Sequence, residues 1–250
     1  MKALRLPPLT APKTPNITPS AAGLNRPRVP GRAPRRDEIG AHTVSVLKNG
    51  GPQKADLLVV DLGEGPMVVK DFSRKRRWTR LLGRLQISRE CRAYGWLGPM
   101  PGVPGFLGRV DAHALALERV EGEQLAFAPN RLSDGEALIA RLRSLIDRLH
   151  AAGVFHQDLR GRGNVLVRSD GELVLVDLAG AICLRPGGWL HRLLRPAFAM
   201  SDEAAFLKWK ALLTPGRFTR EEEEFLRRFR VWRSLWVFNR KRTARSREAS

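Results

Sequence analysis

The sequence predicts an α+β fold over its 250 residues, and three observations carry that expectation. Ala55 to Leu62 and Pro66 to Phe72 are β-rich apolar runs joined by Gly63, Glu64 and Gly65, which reads as an antiparallel pair. Arg74 to Leu97 reads largely as helix, and Ser133 to His150 has the 3.6-residue apolar period of an amphipathic helix. Asn164 to Val167 and Leu173 to Leu178 are two further apolar runs separated by Arg168, Ser169, Asp170 and Gly171, a hairpin signal. Strand pairs and long helices gathered in separate stretches indicate α+β rather than an alternating parallel architecture.

Taken in order, residues 1–38 read as a disordered arm. Its first 36 residues carry many prolines, eight lysines or arginines and no acid, with little apolar periodicity. Val44 to Leu47 is a short apolar run closed by the turn Asn49, Gly50 and Gly51. Lys70 is embedded in the second strand of the first pair. A lysine in such a run commonly just ends a strand, but Glu90 lies 20 residues later, inside the predicted helix. Leu82, Leu85, Ile87, Ala93, Tyr94 and Leu97 are available to bury that helix.

The next helix has Leu138, Leu142, Leu145, Ile146 and Leu149 on one stripe. Ser133 with Glu136 forms a capping box at its start, and Gly153 stops it. There follows the loop His156, Gln157, Asp158, Leu159, Arg160, Gly161, Arg162, Gly163, Asn164. The hairpin after it delivers Asp177 to the end of a buried strand, where a carboxylate is costly unless a cation or donors satisfy it. Asn164 and Asp177, 13 apart, offer two hard oxygen ligands of the kind magnesium takes. Further on, Trp189, Leu190, Leu193, Leu194 and Phe198 make an apolar and basic segment that could shape an acceptor site. Phe225, Leu226, Phe229, Trp232, Leu235 and Trp236 form one stripe of a helix begun by Thr219 and Glu222, decorated with arginines. Arg240 to Arg247 lies in a polar, basic tail, residues 240–250.

The order Lys70, Glu90, His156 to Asn164, then Asp177 resembles the protein kinase-like superfamily over roughly residues 42–185. It is most similar to the compact bacterial branch, the lipopolysaccharide core kinases and RIO-like serine/threonine kinases. The resemblance implies a two-lobed protein kinase-like fold: a small antiparallel β-sheet lobe at 39–117, a hinge at 118–122 and a mostly helical large lobe at 123–239. It also implies ATP bound between the lobes with Mg2+. Lys70 would hold the phosphates and be positioned by Glu90, and Asp158 would accept or orient the proton of the attacking hydroxyl. His156 would brace the loop, Arg160 would contact the transferring phosphate or an anionic acceptor, and Asn164 with Asp177 would position the metal. Leu115 to Gly122 resembles the strand and hinge that hold adenine, with Glu118 and Val120 carried over to that contact.

Three departures accompany the likeness. Asp158 to Asn164 spans six positions where the usual H-R-D-x-x-x-x-N loop spans five. The usual Asp-Phe-Gly triplet is replaced by Asp177, Leu178 and Ala179. No G-x-G-x-x-G precedes Lys70, so Asn49, Gly50 and Gly51 are the one candidate phosphate cover.

Composition narrows the partners. A net charge of +19 points to an anionic partner. Arg74, Lys75, Arg76, Arg77, Arg80, Arg84, Arg89 and Arg92 cluster around the Glu90 helix, with Trp78 among them. For the helix over residues 225–236, decorated by Arg227, Arg228, Arg230, Arg233 and Arg240, two readings stand: a core helix with a solvated basic face, or peripheral contact with an anionic membrane or phosphate-rich lipopolysaccharide. Specific nucleic-acid recognition is not expected, because no zinc-finger or RNA-recognition signature occurs. Cys91 and Cys183 form neither a metal spacing nor a disulfide framework. With no spanning segment or signal peptide, the expectation is a cytoplasmic protein, peripheral on the inner face of the membrane. The expected activity is ATP- and Mg-dependent phosphoryl transfer to a saccharide, lipopolysaccharide-core or lipid-linked hydroxyl. A serine/threonine protein kinase and a nucleotide-binding pseudokinase scaffold are the alternatives.

Overall fold

A computed structural model describes residues 31–127 and 135–235. The fold is α+β, built on a five-stranded antiparallel sheet of order β1-β2-β3-β5-β4. Its strands are β1 Thr43–Lys48, β2 Asp56–Asp61, β3 Pro66–Asp71, β4 Phe106–Arg109 and β5 Ala114–Glu118. The β2–β3 pair matches the sequence expectation, because Gly63 and Gly65, both at positive φ, close the turn.

Strand alternation gives the sheet two buried faces. On one, Val60, Met67, Val69, Ala114 and Ala116 pack with Ile39 of helix α1, Arg36–His42. On the other, Lys70 stands between Leu57 and Leu115 in the register, beside Leu117. The long helix α2, Arg77–Leu97, covers that face with Ile87 and Tyr94. Gly83 allows the close approach: a Cβ there would sit 2.4 Å from Phe72 Cγ. Helix α2 starts three residues later than the sequence suggests, because Lys75 N–H donates to Phe72 O and its Nζ binds Asp56, which turns the chain before it coils.

The boundary of the N-terminal arm at residue 38 falls inside α1. Pro34 is buried, and Arg36 donates to Asp71 (2.8 Å) and Asp111 (2.7 Å). A residue read from composition as part of a solvated arm instead ties α1 to the sheet.

The remaining elements are mostly helical. Helix α3, Gly135–Ala151, buries the expected stripe together with Ile139; the Ser133 end of the predicted capping box lies outside the described residues. Gly153 stops the helix at φ 77°, and a Cβ there would lie 2.0 Å from Leu184 O. Strand β7, Val154–Phe155, pairs with β10, Ile182–Cys183, while β8, Val165–Val167, pairs with β9, Leu173–Leu175, and with β6, Glu123–Gln124. Helix α4, Trp189–Leu213, buries its second half through Asp202, Ala205, Phe206 and Trp209. Helix α5, Arg220–Leu235, opens on a reciprocal cap: Thr219 N–H donates to Glu222, and Glu222 N–H donates to Thr219 Oγ1. Phe225 and Leu226 are half-buried against the core and Phe229 is buried, so this part of α5 is a core helix. The side chains of Trp232 and Leu235, like Trp236 and the basic tail, lie outside the described residues. Among the described residues no helix is long and apolar enough to cross a membrane.

Candidate active site

Lys70 projects from β3 toward α2, and its ammonium is shared by two carboxylates. Nζ is 2.7 Å from Glu90 Oε2 and 2.7 Å from Asp177 Oδ1. Residues separated by 20 and 107 positions thus meet at one cation. Glu90 has no exposure at all, whereas the Asp177 side chain is 44% exposed, so the triad opens to solvent on the Asp177 side.

The electrostatics follow from that geometry. Burial pulls the Lys70 ammonium down, but Glu90 and Asp177 outweigh it and hold the group above its ordinary value. Burial raises the Asp177 carboxyl, yet the Lys70 charge and hydrogen bond prevail and keep it below the usual range. Glu90 is pushed up by burial against the pull of Lys70. Beside it the Tyr94 hydroxyl is buried, and burial, then the Glu90 and Asp177 charges, drive its pKa well up against the opposing pull of the Asp177 backbone amide.

The loop before β8 is held from three directions. Asp202 of α4, 1% exposed, accepts the backbone N–H groups of His156 and Gln157, both at 2.8 Å, and a bond from His150 Nε2 at 3.0 Å. Trp209 Nε1 donates to Leu159 O at 2.9 Å, and Lys208 Nζ donates to Arg160 O at 2.6 Å. Asn164 Nδ2 donates to both Asp158 O (2.8 Å) and Asp158 Oδ2 (3.0 Å). The longer Asp158 to Asn164 spacing is absorbed by successive turns, with Gly161 N–H bonding Asp158 O and Asn164 N–H bonding Gly161 O.

His156 is fully buried. Its Nδ1 accepts from the Asp158 amide (3.4 Å), and its Nε2 faces Val176 O (3.2 Å). A carbonyl accepts only, so the ring carries its proton on Nε2 and both nitrogens are occupied. Such a ring braces the loop and has no free lone pair for proton transfer. It also links the loop to the residue before Asp177, as does the Val176 N–H bond to Asn164 O (3.0 Å).

Two non-glycine residues adopt the left-handed region here, Gln157 and Asp177, both at φ 66°. Strain of this kind persists only where surroundings impose it. Gln157 is fixed by Asp202 and by its own amide, which donates to Phe198 O; Asp177 is fixed by Lys70 and by its bond from Ala179 N–H.

The other predicted residues lie less centrally. Arg160 places its guanidinium 5.9 Å from the Phe229 ring centroid, which packs it toward α5. Glu118 turns its carboxylate to the Gly105 N–H (2.9 Å), while Val120 is half-buried beyond the end of β5. In the Asn49–Gly51 turn, the Gly50 amide donates to Asp56 Oδ1 (3.0 Å), and a Cβ on Gly50 would lie 2.0 Å from Ala55 O. That amide is committed to the protein's own carboxylate, so Gly50 serves the turn and is not a phosphate donor in this conformation.

Sequence reasoning missed Asp202, Gln157, Lys208 and Trp209. A signal for the first was present: Asp202 falls on one helical stripe with Ala205, Phe206 and Trp209, and an acid at a core-facing position needs donors. No protein-family model matches the chain, and no curated protein is significantly similar to it.

Proposed function

We propose that the protein is an ATP- and magnesium-dependent phosphotransferase of the two-lobed protein kinase-like kind, acting on a hydroxyl of a saccharide or lipid-linked acceptor. The observation that carries the reading is the Lys70 ammonium held between Glu90 and Asp177, beside an Asp158–Asn164 loop whose backbone is fixed by buried Asp202. A buried lysine clamped by a helix carboxylate is suited to holding nucleotide phosphates, because its charge and position are settled before the ligand arrives.

The donor set fits magnesium. Asn164 spends its amide nitrogen on Asp158, which leaves its carbonyl oxygen as an acceptor, and Asp177 presents a half-exposed carboxylate. When bound, the metal would neutralise charge developing on the phosphates. Lys70 would turn part of its hydrogen bonding from Asp177 to phosphate oxygen while Glu90 keeps it in place. Asp158, exposed and aligned by Asn164, would receive the proton of the acceptor hydroxyl. Asp202 and Trp209 would keep Asp158 in register by holding the backbone on either side of it.

The test is phosphate transfer from γ-labelled ATP to purified lipopolysaccharide and to a generic basic protein, by wild type, Asp158→Ala and Asp177→Ala. Label on saccharide that falls at least ~100-fold in both variants is expected. Equal label in the variants refutes the site. Label on the protein alone makes it a serine/threonine kinase. No label, with a magnesium-dependent ATP thermal shift lost in Asp177→Ala, makes it a nucleotide-binding scaffold, the reading that the committed Gly50 amide favours.

A further inference from the structure

Helix α2 has two apolar faces, and one of them is uncovered. Gly83, Ile87, Ala93 and Tyr94 face the core. Trp78, Leu81, Leu82 and Leu85 recur at i, i+3, i+4 and i+7 on roughly the opposite side, and they are 78%, 50%, 58% and 60% exposed. A stripe of this size has no role in holding α2 to the sheet, because the buried stripe already does that. The charges around it have a single sign: Arg77, Arg80, Arg84, Arg89 and Arg92 are all exposed, and the one acid of the helix, Glu90, is buried against Lys70.

We propose that this face of α2 docks on an anionic lipid bilayer, with Trp78, Leu81, Leu82 and Leu85 entering the headgroup and upper acyl region and the arginines binding lipid phosphates. Tryptophan and leucine on one side of a helix with arginines beside them is the composition of an interfacial helix. Arginine stems can lie along apolar surface while their heads reach the phosphates. Charge complementarity selects this occupant over two others. A second copy would bring two arginine rows together across a two-fold, and the chain's own N-terminal segment is itself basic. The surface would lie about one helix diameter, ~10 Å, from the Lys70 site, because Glu90 projects from the other side of the same helix. The inference stands without phosphoryl transfer, since it rests on exposure and charge alone.

The test is vesicle co-sedimentation of the full chain at 0.15 M salt, with vesicles of phosphatidylcholine containing about one third phosphatidylglycerol and with phosphatidylcholine alone. Wild type should bind the anionic vesicles, and Leu82→Gln/Leu85→Gln should bind at least ~10-fold more weakly. Arg77→Glu/Arg84→Glu should lose more than ~10-fold, at about fivefold for each arginine removed. Difference emission between wild type and Trp78→Phe should shift to the blue on binding. Both leucines are exposed, so circular dichroism should show the variants folded. Leucine variants that bind vesicles as wild type does would overturn the proposal, as would equal binding to neutral vesicles. Wild type that sediments as a dimer and becomes monomeric in the leucine variant would assign the stripe to a second copy and overturn it too. RNA binding that outcompetes the vesicles and ignores the leucine changes would do the same.

Discussion

Replacing Asp202 with alanine should be among the most damaging single changes in the chain, although Asp202 touches no residue of the Lys70 triad. Its carboxylate receives two backbone N–H groups at 2.8 Å and a histidine nitrogen at 3.0 Å, all at a site with 1% exposure. Truncation leaves the His156 and Gln157 amides buried without acceptors, at about 1–3 kcal/mol each, so ~4 kcal/mol is a central figure. For a chain of this length each kcal/mol moves the melting point by roughly 2–4 °C, which gives a fall of about 8–16 °C. Urea denaturation followed by circular dichroism measures the first quantity and calorimetry the second. Amide hydrogen exchange at His156 and Gln157 should accelerate in the same variant. Asp202→Asn, which keeps one acceptor oxygen but sets an NH2 against the second donor, should fall between wild type and alanine. An Asp202→Ala protein within ~1 kcal/mol of wild type, with unchanged exchange at those two amides, would refute the claim that α4 holds the loop.

The remaining predictions concern α2 and the residues it buries. Tyr94 is the chain's single tyrosine, so a tyrosinate band rising near 295 nm above the tryptophan background comes from it. Its pKa is raised in the fold, so the stability it contributes is complete below the ordinary tyrosine value of ~10 and is lost as pH rises above it. Tyrosinate should therefore appear only together with unfolding, and its appearance near pH 10 in folded protein would contradict the burial. Gly83→Ala would gain up to ~1 kcal/mol from helix propensity on an open helix, but a Cβ 2.4 Å from Phe72 Cγ should make it destabilising by ~1–3 kcal/mol in a urea melt. Glu90→Ala leaves Lys70 with Asp177 as its one remaining anion and should cost ~3 kcal/mol. Glu90→Ala/Lys70→Met, which removes the buried pair and leaves only the half-exposed Asp177 carboxylate without its cation, should recover part of that loss.

Elements whose signal is local were legible in the sequence: the β2–β3 pair with its glycine turn, the existence of helix α2, the stripe of α3, and the β8–β9 hairpin. The order of Lys70, Glu90, Asp158, Asn164 and Asp177 along the chain singled these residues out, and the fold brings Lys70 to Glu90 and Asp177 and Asn164 to Asp158. Distance along the chain hid the rest. Asp202 acts on amides 45 and 46 residues away, and no neighbour in sequence marks it as their acceptor. Arg36 reads as one more arginine of a basic arm, and only its contacts with Asp71 and Asp111, 35 and 75 residues on, make it structural. The Gly50 turn reads as a phosphate cover because glycine frees backbone amides, but Asp56, six residues on, accepts the Gly50 amide. The apolar residues of α2 were legible as apolar, not as exposed: Leu82 and Leu85 were expected to bury the helix, and they face outward because Ile87 and Tyr94 already fill the contact with the sheet.

Calorimetric titration of ATP into the protein, with and without magnesium, tests the Lys70 site most directly. Wild type should bind ATP with an affinity that rises when magnesium is present. Lys70→Met should weaken binding at least ~10-fold through loss of a charge-assisted contact, and Asp177→Asn should abolish the magnesium dependence. ATP binding that is absent from wild type, or that is unchanged by Lys70→Met and indifferent to magnesium, would contradict the assignment of Lys70, Glu90 and Asp177 as a nucleotide-phosphate site.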